Sequence, residues 1–307
     1  MTMKKVFILK PNEEWCVDRM GDEFFLNNQD MCVASPMLAD VVWLMADWCF
    51  LGLARAGLLD NKRVLTTIHH LVPSKLTCEA IAEFNTRDKF TSEYHVFNRH
   101  TLEQVKLLTD KKITLIPYWC NQDIWKKTGD AAELRKKHKI PLDTYVVMSA
   151  QRDTEGSSIA SGQFVGKHEK GPDLFCDYVE KLREKEHNLH VVLGGWRRQY
   201  VINRLLIAKI PYTYFELPSQ EVINDLYNLS NLYVVASRFE GGPQALLEAS
   251  STGCPVVSRS VGIAEDVLPQ QSINDDLTQC IPTIPVVPDE WKIPFGFKKY
   301  RELLQSL

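Results

Sequence analysis

The chain has 307 residues, enough for two domains of ordinary size, and its 45% hydrophobic and 24% charged composition excludes a disordered chain. A formal charge of -3 excludes a protein whose main work is to neutralise nucleic-acid phosphates, so no nucleic-acid partner is expected. The eight cysteines show no paired C-x-x-C spacing, which argues against a zinc site and fits reduced thiols in a cytoplasmic protein.

Residues 1–11 run straight into an apolar strand pattern and carry no cleavable leader pattern. Strands are expected over residues 5–9, 63–68, 94–97, 113–116, 145–150, 190–193, 232–236 and 255–259, where β-branched and apolar runs are short. Helical periodicity lies between them, notably over 38–56, 101–108, 173–185, 219–228 and 243–251. That alternation predicts parallel α/β sheets. The most apolar stretch, 39–59, is interrupted by Asp40, Asp47 and Arg55 and falls short of the roughly 18 apolar residues that a membrane span needs.

A domain boundary is expected within 121–141, giving a first domain over 1–125 and a second over 126–289. The proline-rich stretch with Pro282, Pro285 and Pro288 leads to an amphipathic helix near 290–307, expected to pack back on the first domain.

The segment 232–259 reads physically from end to end. A buried strand runs into Ser237, Arg238, Phe239 and Glu240, then into Gly241 and Gly242, where missing side chains let the backbone turn sharply and approach a ligand. Pro243 is expected in the first turn of the next helix and Gly253 at its C-cap. A loop at the C-terminal end of a parallel strand, just before a helix N-terminus, favours phosphate oxygens. Glu240 and Glu248 bracket that loop, and carboxylates beside a phosphate are best used to accept hydrogen bonds from hydroxyl groups.

The run from Glu240 to Glu248, followed by Ala249, Gly253, Pro255, Gly262 and Glu265, resembles the E-x7-E block of family 4 retaining glycosyltransferases with the GT-B fold. Weaker likenesses follow in the same order, at 66–70, 113–123, 145–152, Lys170-Gly171-Pro172-Asp173 and 192–195. The resemblance implies two Rossmann-like parallel-sheet domains facing across a cleft, the N-terminal one shortened, with the second domain binding a nucleoside-diphosphate sugar. It implies that Glu240 contacts the transferred sugar, that Gly241, Gly242 and Pro243 form the turn around sugar and diphosphate, and that Glu248 holds the ribose. Arg152 and Lys170 would neutralise the leaving diphosphate, and Gly194 and Gly195 would form the neighbouring turn of the donor site. His69 matches the position beside the transferred sugar. An insert over 154–166 separates Arg152 from Lys170 more widely than is usual in the family, which makes Lys167 a competing second cation and the insert a candidate flap.

The implied activity is transfer of a hexose, with retention, to a hydroxyl of a glycan or other acceptor, lipid-linked or protein-linked. No metal or other cofactor is expected, since the cations do the electrostatic work. Two alternatives stand beside it: a sugar-nucleotide epimerase of the same fold, and a non-catalytic donor-binding subunit of a glycan assembly complex. Residues 1–115 carry 14 Lys and Arg against 15 Asp and Glu, so no basic membrane-facing patch is indicated. Membrane contact is at most peripheral, through Trp15, Phe24, Phe25, Trp43 or Trp48.

Overall fold

The computed structural model describes residues 2–13 and 16–307, so Trp15 lies outside the described residues. The chain divides into two compact units, Met1–Trp119 with Asp289–Leu307, and Cys120–Pro288.

In chain order the first unit holds β1 (Val6–Leu9), α1 (Cys16–Asn27), β2 (Val41–Leu44), α2 (Leu51–Arg55), β3 (Arg63–Ile68), α3 (Cys78–Asp88), β4 (Glu93–Val96), α4 (Arg99–Lys106) and β5 (Ile113–Leu115). The strands form one parallel sheet in the order β1-β2-β3-β4-β5. The helix expected over 38–56 does not form. Its start is β2, all four residues of which are buried between β1 and β3, and only a 3-10 turn at Asp47–Cys49 and α2 remain helical. A strand covered on both faces reads as a continuous apolar run, and such a run has no period to tell it from a buried helix.

Polar side chains inside this sheet form a closed chain of donors. Trp43 Nε1 donates to Thr67 Oγ1 at 2.9 Å, Thr67 lies 3.0 Å from His95 Nδ1, and His95 Nε2 lies 2.9 Å from the carbonyl of Ile116. Because a carbonyl only accepts, His95 Nε2 carries the proton and Nδ1 accepts from the Thr67 hydroxyl. Burial pushes the His95 pKa down to about 3, so the ring is neutral and each donor in the chain has one acceptor.

The last helix of the chain, described with this unit, packs on the same interior. Its Tyr300 stacks on Trp43 at 5.5 Å between ring centroids and donates to the carbonyl of Pro117 at 2.9 Å. Its Gln305 exchanges hydrogen bonds with the backbone of Lys4, and its Arg301 forks onto Asp30. Phe24 and Trp43, considered from sequence as membrane-contacting aromatics, are fully buried in this cluster; Phe25 is half-buried and Trp48 is 42% exposed.

The second unit holds α5 (Ala131–Lys137), β6 (Tyr145–Ala150), α6 (Gly156–Ile159), α7 (Pro172–Lys185), β7 (Leu189–Gly194), α8 (Gln199–Ile207), β8 (Tyr212–Phe215), α9 (Gln220–Leu229), β9 (Leu232–Val235), α10 (Ala245–Thr252), β10 (Val256–Ser258) and α11 (Ala264–Val267); the returning helix above is α12 (Phe297–Ser306). Its sheet is also parallel, in the order β10-β9-β6-β7-β8. The chain moves from β6 outward through β7 and β8, then crosses back to lay β9 on the other side of β6. Strand order therefore reverses between β6 and β9. Crevices for ligands open at such a reversal, outside the carboxyl ends of the two strands. Among the described residues no helix is long and apolar enough to cross a membrane, and none of the cysteines forms a disulfide.

Candidate functional site

Beyond the carboxyl end of β6 the chain continues with Gln151 and Arg152; beyond that of β9 it continues with Ala236, Ser237 and the Glu240 loop. A third segment reaches the same place. Gly171, in the left-handed conformation at φ 58°, turns the chain into α7, and a Cβ there would lie 2.0 Å from the carbonyl oxygen of Ala236. Only glycine permits that approach. It sets Lys170 beside the β9 loop.

Three segments are then tied in a ring. Lys170 Nζ meets Glu240 Oε1 at 2.6 Å, and Ser237 Oγ donates to the same oxygen at 3.0 Å. The Ser237 hydroxyl also lies 3.4 Å from Gln151 Oε1, while Gln151 Nε2 donates to the carbonyl of Lys170 at 3.1 Å. Side-chain exposures of 21% for Lys170 and 13% for Glu240 leave this ion pair partly open to a ligand. Lys167, the competing cation, lies 3.6 Å from Glu169.

The glycine turn is fixed from the other side. Gly241 and Gly242 are buried, and the carbonyl of Gly242 accepts from the backbone N–H of Ile263 at 2.6 Å. Gly262 is left-handed at φ 59°, and a Cβ there would fall 1.6 Å from that same carbonyl. The loop after β10 thus lies directly on the turn. Pro243 precedes α10 rather than opening it, because the helix begins at Ala245. Glu248 consequently sits in the first turn, and Gly253 closes the helix in the left-handed conformation. Glu248 Oε2 accepts a 2.9 Å hydrogen bond from Tyr227 of α9. Burial, then the nearby carboxylate, raises the Tyr227 pKa well above its ordinary value, so the phenol stays protonated as the donor.

Arg152 is half-buried and lies 5.9 Å from the ring centroid of Trp196, on whose ring Arg197 also stacks at 3.8 Å. Gly194 ends β7 beside Ala150, and Gly195 follows with its N–H on the carbonyl of Phe215. Behind this edge sits a residue that sequence reading missed. Arg198 is completely buried and meets Asp153 at 2.6 Å, the carbonyls of Ser149 and Gly194 at 2.7 Å each, and Ser149 Oγ at 3.1 Å. It joins the carboxyl ends of β6 and β7. The 154–166 insert is pinched at its base by a bridge between Thr154 and Gly166 and carries α6.

His69 belongs to the first unit, and both of its ring nitrogens are engaged there: Nε2 with the carbonyl of Met45 at 2.8 Å and Nδ1 with the Tyr118 hydroxyl at 2.9 Å. Since the carbonyl only accepts, Nε2 is the donor in that bond. Among the described residues no group of three His, Cys, Asp or Glu is arranged to hold a metal ion.

Residues 158–278, which contain Lys170, Glu240 and Glu248, match the family model for glycosyl transferases group 1. The fold is similar to that of HepE from Anabaena, solved in complex with UDP-glucose, with a TM-score of 0.71 at 12% identity over 90% of this chain and 87% of that one. A glycosyltransferase from Rickettsia africae ESF-5 gives a TM-score of 0.62 at 14% identity over 91% and 87%, and the sucrose-phosphate synthase of Thermosynechococcus elongatus gives 0.59 at 16% over 88% and 69%. No curated protein matches the chain by sequence. At such identities the likeness is one of fold, and the fold is GT-B.

Proposed function

We propose that the protein is a glycosyltransferase that takes a hexosyl group from a nucleoside-diphosphate sugar, a UDP-sugar in the simplest case, and passes it to an acceptor hydroxyl with retention of configuration. The group 1 match over 158–278 and the UDP-glucose complex of a protein of similar fold support the donor class. The observation that carries the reading is the partly open contact between Lys170 and Glu240 at the strand-order reversal. A cation and a carboxylate side by side suit a ligand that presents a diphosphate next to sugar hydroxyls.

In this reading Lys170 and Arg152 meet the negative charge that builds as the diphosphate departs, an interaction stronger in the transition state than in the ground state. Lys170 is preferred to Lys167 because Lys170 is the ammonium that meets Glu240 in the loop beyond β9. Glu240 accepts from the sugar hydroxyls, Gly241 and Gly242 line the diphosphate, and Glu248 adds the ribose to the hydroxyl it already takes from Tyr227. His69 serves the acceptor side as a fixed wall rather than a proton carrier, since both ring nitrogens are committed. The acceptor oxygen attacks the face from which the diphosphate leaves, and a phosphate oxygen accepts its proton.

The test is direct. UDP should raise the melting temperature of the protein by mass action, and UDP-glucose should be turned over to UDP. Glu240→Gln should lower turnover by roughly 100- to 1000-fold, about 2.7–4 kcal/mol, with the fold intact. Full activity in that variant, or no binding of UDP, GDP or ADP to the native protein, refutes the proposal.

A further inference from the structure

The contact between Lys170 and Glu240 joins two loops that leave different strands, and a single ion pair between flexible side chains does not by itself explain why the loops stay in register. The explanation lies one layer outward. The backbone N–H groups of Arg238 and Phe239 both donate to the carbonyl of Glu169, at 2.8 and 3.2 Å. The Arg238 guanidinium then forks onto Asp173 in the first turn of α7, at 2.8 and 2.6 Å, and also donates to the carbonyl of His168 at 3.1 Å. Every one of these bonds runs from the 238–240 loop to the 168–173 segment, and Lys170 sits in the middle of that segment. The hydrogen bond from Arg238 holds the Asp173 carboxyl below its ordinary pKa, so the fork is charged on both sides at neutral pH.

We infer that Arg238 and Asp173 are positioning residues for the donor site: their bidentate pair holds the Lys170 ammonium and the Glu240 carboxylate together, so that diphosphate and sugar meet a preformed cation and acceptor. Neither residue touches the Lys170–Glu240 contact itself; they act through it. Lysine in place of Arg238 cannot fork, so the charge alone does not substitute. The inference rests on the proposed donor site, and its experiment separates the two.

Binding of UDP is measured by calorimetry in six proteins: native, Arg238→Ala, Asp173→Ala, the Arg238→Ala/Asp173→Ala double variant, Lys170→Ala, and Lys170→Ala carrying Arg238→Ala. Each single strap variant should weaken UDP by about tenfold, and the strap double should be no worse than either single. In the Lys170→Ala background, Arg238→Ala should change the affinity by less than about twofold, because the group it positions is gone. Equal weakening in both backgrounds, or native affinity in Arg238→Ala, overturns the inference while leaving the donor site standing. A native protein that binds no nucleoside diphosphate sinks the donor site and the inference with it. If Arg238→Ala does not fold, Arg238→Lys carries the same comparison, with a weakening of several-fold expected and none overturning the role of the fork.

Discussion

Removing Asp153 should be strongly destabilising at the carboxyl end of β6, and the reason is the solvent that Arg198 cannot reach. Both side chains are 0% exposed, and the guanidinium directs three of its four remaining N–H donors to the Ser149 and Gly194 carbonyls and the Ser149 hydroxyl. In Asp153→Ala those neutral acceptors stay, but the counter-charge is gone. A buried charge left without its partner costs about 3–5 kcal/mol. For a unit of the size of Cys120–Pro288, each kcal/mol moves the melting temperature by about 2–4 °C, so the expected fall is roughly 6–20 °C.

The assay is scanning calorimetry. Because the chain has two compact units, a single two-state transition cannot be assumed, and the transition that rises with added UDP is taken as that of the second unit. Replacing both residues, Asp153→Leu with Arg198→Met, removes the charge along with its partner and should destabilise less than Asp153→Ala alone. A fall of under about 3 °C in Asp153→Ala, or a double variant as unstable as the single, would show that Arg198 is neutralised or hydrated in a way its burial denies.

Two further outcomes are expected. His95 is held near a pKa of about 3 against an ordinary 6.5, so the folded state resists its protonation; stability from this group is complete above pH 6.5 and is lost as pH falls from there toward 3. His95→Gln should flatten the acid limb of the stability curve by about 1.4 kcal/mol per pH unit in that window, and an unchanged slope in urea titrations would contradict the neutral-ring network. Gly262→Ala should abolish most UDP affinity, at least tenfold, because a Cβ cannot coexist with the Gly242 carbonyl and the glycine turn must move; native affinity in that variant would mean the turn is not part of the donor site.

What the sequence made legible follows local periodicity. Strands β6 and β9 stand out as short β-branched runs, and the Gly241-Gly242-Pro243 punctuation marks the loop between β9 and α10, because those signals act within a few residues. Strand β2 was hidden by burial on both faces. β8 was missed for a different reason: Tyr212, Thr213, Tyr214 and Phe215 form an edge strand of half-buried residues without strict alternation. Sequence spacing could not show which carboxylate Lys167 or Lys170 meets, because three residues of separation say nothing about it; the left-handed turn at Gly171 and its approach to Ala236 place Lys170 beside Glu240. Arg198 was not legible at all. In the run Trp196-Arg197-Arg198 it looks like a solvated cation, and only the fold brings Asp153, 45 residues earlier, to its Nε.

The two carboxylates that bracket the glycine turn are not equivalent, and their difference follows from where each stands. Glu240 lies in the open loop and shares one oxygen between an ammonium and a hydroxyl, so a ligand that draws Lys170 toward phosphate releases part of that carboxylate for another donor. Glu248 lies in the first turn of α10, where the helix dipole favours negative charge, and its Oε2 is held by a phenol whose own burial keeps it protonated. The first carboxylate is set to exchange partners and the second to keep one. Such a division suits a donor whose sugar must leave while its nucleotide stays bound through the bond-breaking step. It also explains why the spacing between them is a helix start: the turn that brings Gly241 and Gly242 to the edge of the sheet is the same turn that fixes Glu248 one layer behind.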